Sequence, residues 1–143
     1  MIYRYLGNTG IQVSVIGYGN MFATYDEKTY EVMRDSVKFM LEKGVNFFDT
    51  AEYYGFGKAE EFLGRVFKEL KTPREDVVVT TKLFKGDVNN PNGVSLSRKH
   101  LIEGIKKSLR LLQMEYVDVL YCHKPDDDCP LEETLKAMDW IIR

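Results

Sequence analysis

The sequence predicts an α/β fold in which a short N-terminal β-hairpin precedes four successive strand–helix units. Two observations predict this fold: short runs of apolar and β-branched residues alternate with longer stretches, and in those stretches apolar residues recur at helical spacing. Such alternation is typical of repeated βα units around a parallel sheet. Two architectures fit the pattern, an open doubly wound sheet and part of a (β/α)8 barrel. A complete barrel takes about 250 residues, so four units correspond to half of one.

The hairpin is predicted near the N-terminus, where two short apolar segments flank a turn. Residues 3–6 and 11–13 are the predicted strands, and residues 7–10 (GNTG) are the turn between them. Gly and Asn are common in tight turns because they adopt left-handed backbone conformations at little cost. We therefore expect the hairpin to be separate from the repeated units.

The first two strand–helix units are predicted from apolar strands followed by amphipathic helices. The first combines a strand over 13–17 with a helix over about 29–43, and Gly44 marks the end of that helix. The second combines a strand over 45–49 with a helix over about 59–70. The apolar residues predicted to face the core are Val32, Phe39 and Met40 in the first helix and Phe62, Leu63, Val66 and Phe67 in the second.

The third and fourth units follow the same plan. A strand over 77–82 leads through a long polar loop to a helix capped near Ser97, and a strand over 117–122 leads to a helix that starts at Pro130 and continues to Arg143. The predicted apolar stripes comprise Leu101, Ile105, Leu109 and Leu112 in the third helix and Leu131, Leu135 and Met138 in the fourth.

Composition and charge exclude several classes of function. The 143 residues are 44% hydrophobic and 29% charged, which fits one globular domain. The 20 basic and 22 acidic residues are scattered, so no cationic stripe is present and we expect no nucleic-acid partner. No apolar run approaches the roughly 20 residues that span a bilayer, so we expect a cytoplasmic protein without membrane insertion. Cys122 and Cys129 lack metal-ligand spacing, and we expect free thiols and no metal site.

Polar side chains with complementary chemistry follow three consecutive strands at the point where each strand ends. Asp49 ends the second strand, Lys82 the third, and His123 follows the fourth, while Tyr54 lies five residues beyond Asp49. Each alone has a plain structural explanation, such as a helix cap or a surface lysine. Because the carboxyl ends of parallel strands meet at one edge, we expect the four side chains to converge there.

The four groups together have the chemistry that hydride addition to a carbonyl requires. A phenol has a pKa of about 10, and a nearby ammonium such as that of Lys82 stabilises the phenolate. A buried lysine tends to lose its proton, so a carboxylate such as Asp49 is needed to keep it charged. A neutral imidazole at His123 can donate a hydrogen bond to a carbonyl oxygen.

Three ordered motifs resemble those of the aldo-keto reductases. Residues 49–55 (DTAEYYG) resemble the family segment DTAxxYG, residues 80–82 (TTK) its third strand end, and residues 116–118 (YVD) with 123–126 (HKPD) its YVD and H(R/K)PD segments. The resemblance covers essentially the whole chain. It implies that residues 1–143 are the N-terminal half of a (β/α)8 barrel, truncated before the second half.

The resemblance also implies roles for the strand-end residues in the reduction of aldehydes and ketones by NADPH. Tyr54 would be the general acid and Lys82 its electrostatic partner, while Asp49 would pair with Lys82 and His123 would orient the carbonyl substrate. The register of the motif excludes Tyr53 as the acid. His100, at a helix start, is expected to be a surface or capping residue.

Only part of the implied cofactor site lies in this sequence. The turn 17–21 (GYGNM) follows the first strand, and the resemblance implies that Asn20, Met21 and Asp49 lie near the nicotinamide ribose of NADPH. The family's other cofactor contacts come from strands and loops five to eight. We therefore expect the chain alone to be an incompetent reductase.

A branch of the family suggests an alternative. Residues 57–60 (GKAE), 96–100 (LSRKH) and 130–134 (PLEET) resemble segments of the potassium-channel β-subunit branch and its bacterial and plant relatives. A regulatory subunit that binds NADPH as a redox sensor, with a channel-like partner or as a homo-oligomer, is therefore the alternative function. Mammalian channel β-subunits have asparagine where this chain has His123, which favours the enzymatic relatives. A half-barrel with a purely structural role is a third possibility.

Overall fold

A computed structural model describes the whole chain, Met1–Arg143, as a small hairpin followed by a parallel sheet with helices packed on one face. The strands are β1 (Tyr3–Tyr5), β2 (Gln12–Ser14), β3 (Gly17–Gly19), β4 (Phe47–Asp49), β5 (Val78–Leu83) and β6 (Val119–Cys122). The helices are α1 (Glu27–Glu42), α2 (Lys58–Glu69), α3 (Arg98–Leu112) and α4 (Leu131–Ile142). Strands β1 and β2 form the antiparallel hairpin.

The main sheet has the strand order β3-β4-β5-β6, and all three pairings are parallel. Because the strands are in sequential order, each connecting helix lies beside the helix before it. Accordingly, α1 packs on α2, α2 on α3 and α3 on α4. A doubly wound sheet reverses its strand order and has helices on both faces. The sequential order and the single helical layer therefore correspond to half of a (β/α)8 barrel, as expected.

The two faces of the sheet differ in burial because successive side chains of a strand point to opposite sides. On the helix side, Phe48, Val79 and Leu83 have no exposed surface. On the opposite face, which is the barrel interior, Phe47 and Val78 are half-buried and Tyr121 is 40% exposed. The functional side chains described below lie at the carboxyl end of this interior face.

The predicted first strand is wrong, and so are two of the three residues predicted to face the core in the first helix. Residues 13–17 divide between the end of the hairpin and the start of β3, because β3 pairs with β4 through Gly17, Tyr18 and Gly19. In α1 the buried side chains are Tyr30, Met33 and Val37, at spacings of three and four residues, and Met40 packs partly buried against the same core, as predicted. Val32 and Phe39, predicted to face the core, are 50% and 55% exposed.

The core faces of α2 and α3 agree with the sequence prediction. Phe62, Leu63, Val66 and Phe67 of α2 are buried, and so are Leu101, Ile105 and Leu112 of α3. The Ser97 hydroxyl accepts a hydrogen bond from the backbone N–H of His100, which confirms the predicted helix cap. In α4 the buried positions are Thr134 and Ala137, and Met138 packs partly buried against the core as predicted, whereas Leu131 and Leu135 are exposed, contrary to prediction.

Neither cysteine is in a disulfide, as expected: Cys122 is exposed and Cys129 half-buried. None of the helices combines the length and the apolar character needed to cross a membrane.

Candidate active site

Four polar side chains meet at the carboxyl edge of the sheet, and the region around Asp49, Tyr54, Lys82 and His123 is called the mouth below. Asp49 is the last residue of β4, Lys82 lies one residue before the end of β5, and His123 directly follows β6. Tyr54 begins a one-turn 3-10 helix, Tyr54–Gly57, in the loop after β4. Parallel pairing brings the strand ends to one edge, and the loop after β4 places Tyr54 over it.

Lys82 is the centre of this cluster. Its Nζ donates to Asp49 Oδ2 at 2.6 Å, to the backbone carbonyl of Thr50 at 2.7 Å and to the Tyr54 hydroxyl at 3.2 Å. An ammonium has three N–H donors, so all three have an acceptor. The Lys82 side chain is 15% exposed, and a carboxylate in contact offsets the cost of holding the charge away from water.

The Asp49 carboxylate is fixed from two sides. Its Oδ1 accepts a hydrogen bond of 2.6 Å from the hydroxyl of Thr80, and its Oδ2 is bonded to Lys82. Thr80 pairs with Asp49 across the sheet and lies two residues before Lys82 on the same strand face. Sequence analysis did not single out Thr80, although its place beside Asp49 follows from the strand register.

The structure separates the adjacent tyrosines. The Tyr54 hydroxyl contacts Lys82, whereas the Tyr53 hydroxyl accepts from Lys85 Nζ at 3.3 Å. The turn between them and α2 needs left-handed backbone at Gly55 (φ +57°) and Phe56 (φ +55°). A Cβ at Gly55 would collide with the Tyr25 ring, so both the backbone angle and the packing require glycine there.

His123 lies beside Tyr54. The two rings are 5.9 Å apart between centroids and meet edge to face at 77°, and the His123 backbone N–H donates to the Leu83 carbonyl at 2.9 Å. Burial, followed by the positive charge of Lys82, lowers the pKa of His123 below its ordinary value of 6.5. The imidazole is therefore neutral near pH 7, when it can donate one hydrogen bond from a ring nitrogen.

The residues expected near a nicotinamide ribose differ in accessibility. Met21 is 70% exposed at the mouth. Asn20 is fully buried, and its side-chain N–H donates to the Ala59 carbonyl at 2.8 Å while its Oδ1 has no hydrogen-bond partner. Gly19 pairs with Asp49 across the sheet, and nothing lies within 4 Å of the position that a Cβ would take. The mouth therefore has open space directly beside the Asp49 carboxylate.

A buried pair behind the mouth was not predicted. His100, expected at the surface or in a cap, is buried, and its Nε2 lies 2.9 Å from Glu52 Oε1. The two residues are 48 apart in the chain, so no sequence spacing indicates that they meet. Glu52 occupies one of the unspecified positions (x) of the DTAxxYG segment. The only sign of the pair in the sequence was a carboxylate inside a short loop.

Comparison with known proteins shows the family to which the chain is similar in sequence. A sequence model of the aldo/keto reductase family matches residues 15–143. A probable voltage-gated potassium channel subunit beta of Oryza sativa subsp. japonica is 45% identical over 142 residues, which are 99% of this chain and 43% of that protein. The protein of the same name from Arabidopsis thaliana is 44% identical over the same shares.

Solved structures give the same result. The thermostable aldo-keto reductase Tm1743, crystallised with the inhibitor epalrestat, superposes with a TM-score of 0.85 at 35% identity, over 100% of this chain and 50% of that one. The holo form of the aldo-keto reductase AKR11C1 from Bacillus halodurans gives a TM-score of 0.84 at 32% identity, over 99% of this chain and 46% of that one. The chain thus spans about half the length of the relatives it matches, and it belongs to the aldo/keto reductase family.

Proposed function

We propose that the protein to which this chain corresponds reduces aldehydes and ketones to alcohols, with NADPH as the reductant and Tyr54 as the proton donor. The observation that supports this most directly is the position of Lys82, whose ammonium contacts both the Asp49 carboxylate and the Tyr54 hydroxyl. An ammonium beside a phenol stabilises the phenolate that remains when the phenol gives up its proton.

The proposed mechanism gives each side chain one task. Tyr54 donates its hydroxyl proton to the carbonyl oxygen, and Lys82 stabilises the phenolate that forms. Asp49 balances the charge of Lys82 and, with the Thr50 carbonyl, directs the ammonium toward Tyr54. Neutral His123 donates a hydrogen bond to the same carbonyl oxygen and orients the substrate beside Tyr54.

The residues at the mouth are compatible with one end of a nicotinamide cofactor. The open space beside Gly19 and Asp49 would admit a ribose, Asp49 offers a carboxylate acceptor, and Met21 is accessible for apolar contact. Asn20 would contribute by fixing the turn from within, because its side chain is enclosed. The bound cofactor supplies the hydride that is added to the carbonyl carbon. The remaining cofactor contacts would come from the other half of the barrel.

The test compares the chain alone with the chain completed by a C-terminal half-barrel. NADPH deuterated at the transferable position and 4-nitrobenzaldehyde are incubated with each, and the alcohol is analysed by mass spectrometry. We expect deuterium at the carbinol carbon with the completed barrel and no turnover with the chain alone. A completed barrel that binds NADPH but transfers no deuterium to any of a panel of aldehydes and ketones would contradict the proposal.

The names of the plant relatives favour a second candidate, a channel-associated regulatory subunit that binds NADPH as a redox sensor. A sensor needs slow or absent turnover, whereas the arrangement of Tyr54, Lys82 and His123 favours catalysis. Single-turnover oxidation of bound NADPH separates the two. Bound NADPH that stays reduced for many minutes in excess aldehyde, together with binding of the protein to a channel's cytoplasmic domain, would favour the sensor.

A further inference from the structure

The buried pair of Glu52 and His100 lies behind the mouth, between the loop that contains Tyr54 and α3. Their side chains are only 6% and 7% exposed, and His100 Nε2 is 2.9 Å from Glu52 Oε1. Burying a carboxyl group costs free energy that hydrogen bonds must offset, and apolar residues often fill such a space at less cost. The pair therefore calls for an explanation beyond stability.

Glu52 joins the two segments that present Tyr54 and Lys82. Its backbone N–H donates to the Lys82 carbonyl at 3.2 Å, and its Oε1 accepts from the backbone N–H of Phe84 at 2.6 Å. Glu52 lies two residues before Tyr54, and Phe84 lies two residues after Lys82. The Glu52 side chain thus links the loop that contains Tyr54 to the end of β5.

His100 fixes the orientation of that carboxylate. It lies in the first turn of α3, where the Ser97 cap holds its backbone, and α3 packs on both α2 and β5. Gly86 leaves room for the pair: a Cβ there would lie 3.0 Å from Glu52 Oε2 and 3.2 Å from His100 Cε1. Helix α3, strand β5 and the loop at Gly86 therefore pack closely around the contact between Glu52 and His100.

We propose that Glu52 and His100 are positioning residues, which hold the Tyr54 hydroxyl at hydrogen-bonding distance from the Lys82 ammonium. The inference rests on the proposed function, in which that contact enables proton donation. The contact is 3.2 Å long, and proton-transfer geometry is sensitive to displacements of about 1 Å, which cost up to about a hundredfold in rate.

The spectroscopic test uses the 143-residue chain and does not depend on activity. Lys82 Nζ lies 4.8 Å from the centroid of the Tyr54 ring, so the ring current of Tyr54 shifts the neighbouring Lys82 ε-methylene protons. This resonance is followed in carbon-labelled lysine samples and assigned by its loss in Lys82→Met. His100→Leu removes the hydrogen bond to Glu52. This variant should move the Lys82 ε-methylene resonance toward the chemical shift of an exposed lysine.

His100→Gln is the conservative variant, because its amide N–H can reach Glu52 from nearly the position of Nε2, and it should retain the wild-type resonance. His100→Asn is polar but too short to reach, and it serves as the second disruptive variant if His100→Leu does not fold. Lys99→Met is the matched control, since it removes an exposed ion pair with Glu103 from the same helical turn. An unchanged resonance in a folded disruptive variant would overturn the inference.

Kinetics of the completed barrel supply the second readout. Disruptive variants should lower kcat by about 10- to 100-fold with substrate KM nearly unchanged, and His100→Gln should restore kcat to within about threefold of wild type. A loss that His100→Gln does not restore would contradict positioning. If Tyr54→Phe retained full turnover, the proposed function would fail, while the resonance would still report whether the pair positions Tyr54.

Discussion

At the scale of single residues, the Lys82 ammonium determines the electrostatics of the mouth. Its charge is balanced by Asp49, directed by the Thr50 carbonyl and presented to the Tyr54 hydroxyl. The same charge lies close enough to His123 to disfavour a second cation, which keeps a phenol hydroxyl and a neutral imidazole side by side. The proposed mechanism therefore depends on Lys82 in two ways.

The first prediction concerns the titration of His123. Because burial and Lys82 lower its pKa, the ring should titrate below 6.5 in imidazole NMR spectra. Lys82→Met should raise the midpoint, since the variant removes the positive charge and leaves the Asp49 carboxylate uncompensated. The imidazole signal of the other histidine is assigned by its loss in His100→Gln. Lys99→Met is the control, because it removes a positive charge away from the mouth. A midpoint that Lys82→Met does not move would show that Lys82 has no influence on His123.

The positions of the residues at the strand ends could be predicted from the sequence, whereas the contacts that support them could not. Parallel strands bring their ends together whatever the loops do, so Asp49, Lys82 and His123 could be placed at one edge in advance. Glu52 and His100 come from a loop and a helix whose relative position depends on packing. Their hydrogen bond could not be predicted, since nothing in a 48-residue separation specifies a distance in space.

At the scale of elements, the sequence predicts a helix or strand correctly where clear signals mark its ends. It fails where apolar residues lie outside the strand or away from the core face of the helix. Three of residues 13–16 (VSVI) are apolar and β-branched, yet the strand that joins the sheet is Gly17–Gly19. The low strand propensity of its glycines is outweighed by its parallel pairing with β4. A Cβ at Gly17 would lie 2.8 Å from the Phe47 ring, so close approach explains the glycine. The core face of α1 includes Met40 as predicted but not Val32 or Phe39, because Tyr30, Met33 and Val37 form a better spaced apolar stripe.

The second prediction tests the contact between α2 and α3. Gly64 lies in α2, and a Cβ there would collide with the backbone carbonyl of Leu112 at the end of α3. Gly64→Ala should lower the free energy of unfolding by about 1–3 kcal/mol, although alanine favours helix by about 1 kcal/mol. Chemical denaturation measures the change, and Gly10→Ala, with open space around it, is the matched control. A Gly64→Ala protein as stable as wild type would mean that the helices can separate at little cost.

The third prediction concerns a buried carboxyl group between α2 and β5. Glu60 is fully buried, the Thr81 hydroxyl donates to its Oε1 at 2.6 Å, and burial raises the pKa of Glu60 above its ordinary value of 4.5. The folded chain therefore binds more protons than the unfolded chain just above pH 4.5, so this contribution to stability falls as pH rises.

Glu60→Gln removes that titration, so its stability relative to wild type should increase between pH 5 and pH 8. Thermal unfolding over this range measures the effect, and the same change at the neighbouring, partly exposed Glu61 is the matched control. If the two variants change the pH dependence equally, the burial of Glu60 is not its cause.

At the scale of the whole molecule, the interior face of the sheet is only partly covered. Phe47, Val78 and Val119 are half-buried on this face, and Tyr121 is exposed. Burial of apolar surface is worth about 25 cal/mol per Å², so a few hundred Å² left in water cost several kcal/mol, comparable with the stability of a typical domain. The chain spans about half of its relatives, in which a full barrel leaves no such face open.

The fourth prediction is that the isolated 143-residue chain self-associates through this face. Sedimentation velocity should show concentration-dependent association, and Tyr121→Lys should reduce it by placing a charge on the interior face. Val32→Lys is the matched control, because Val32 is exposed on α1, away from the interior face. A chain that stays monomeric at all concentrations, or equal effects of the two variants, would place the association elsewhere or exclude it.

The central claim is that Tyr54 donates the proton in carbonyl reduction, and the adjacent tyrosines provide its most direct test. In the chain completed to a full barrel, kcat for 4-nitrobenzaldehyde and the Kd for NADPH are measured for Tyr54→Phe and Tyr53→Phe. We predict that Tyr54→Phe lowers kcat by several orders of magnitude with the Kd nearly unchanged, because proton donation contributes only in the transition state. Tyr53→Phe, whose hydroxyl contacts Lys85, should remain within a few fold of wild type. Near-normal turnover by Tyr54→Phe would contradict the claim.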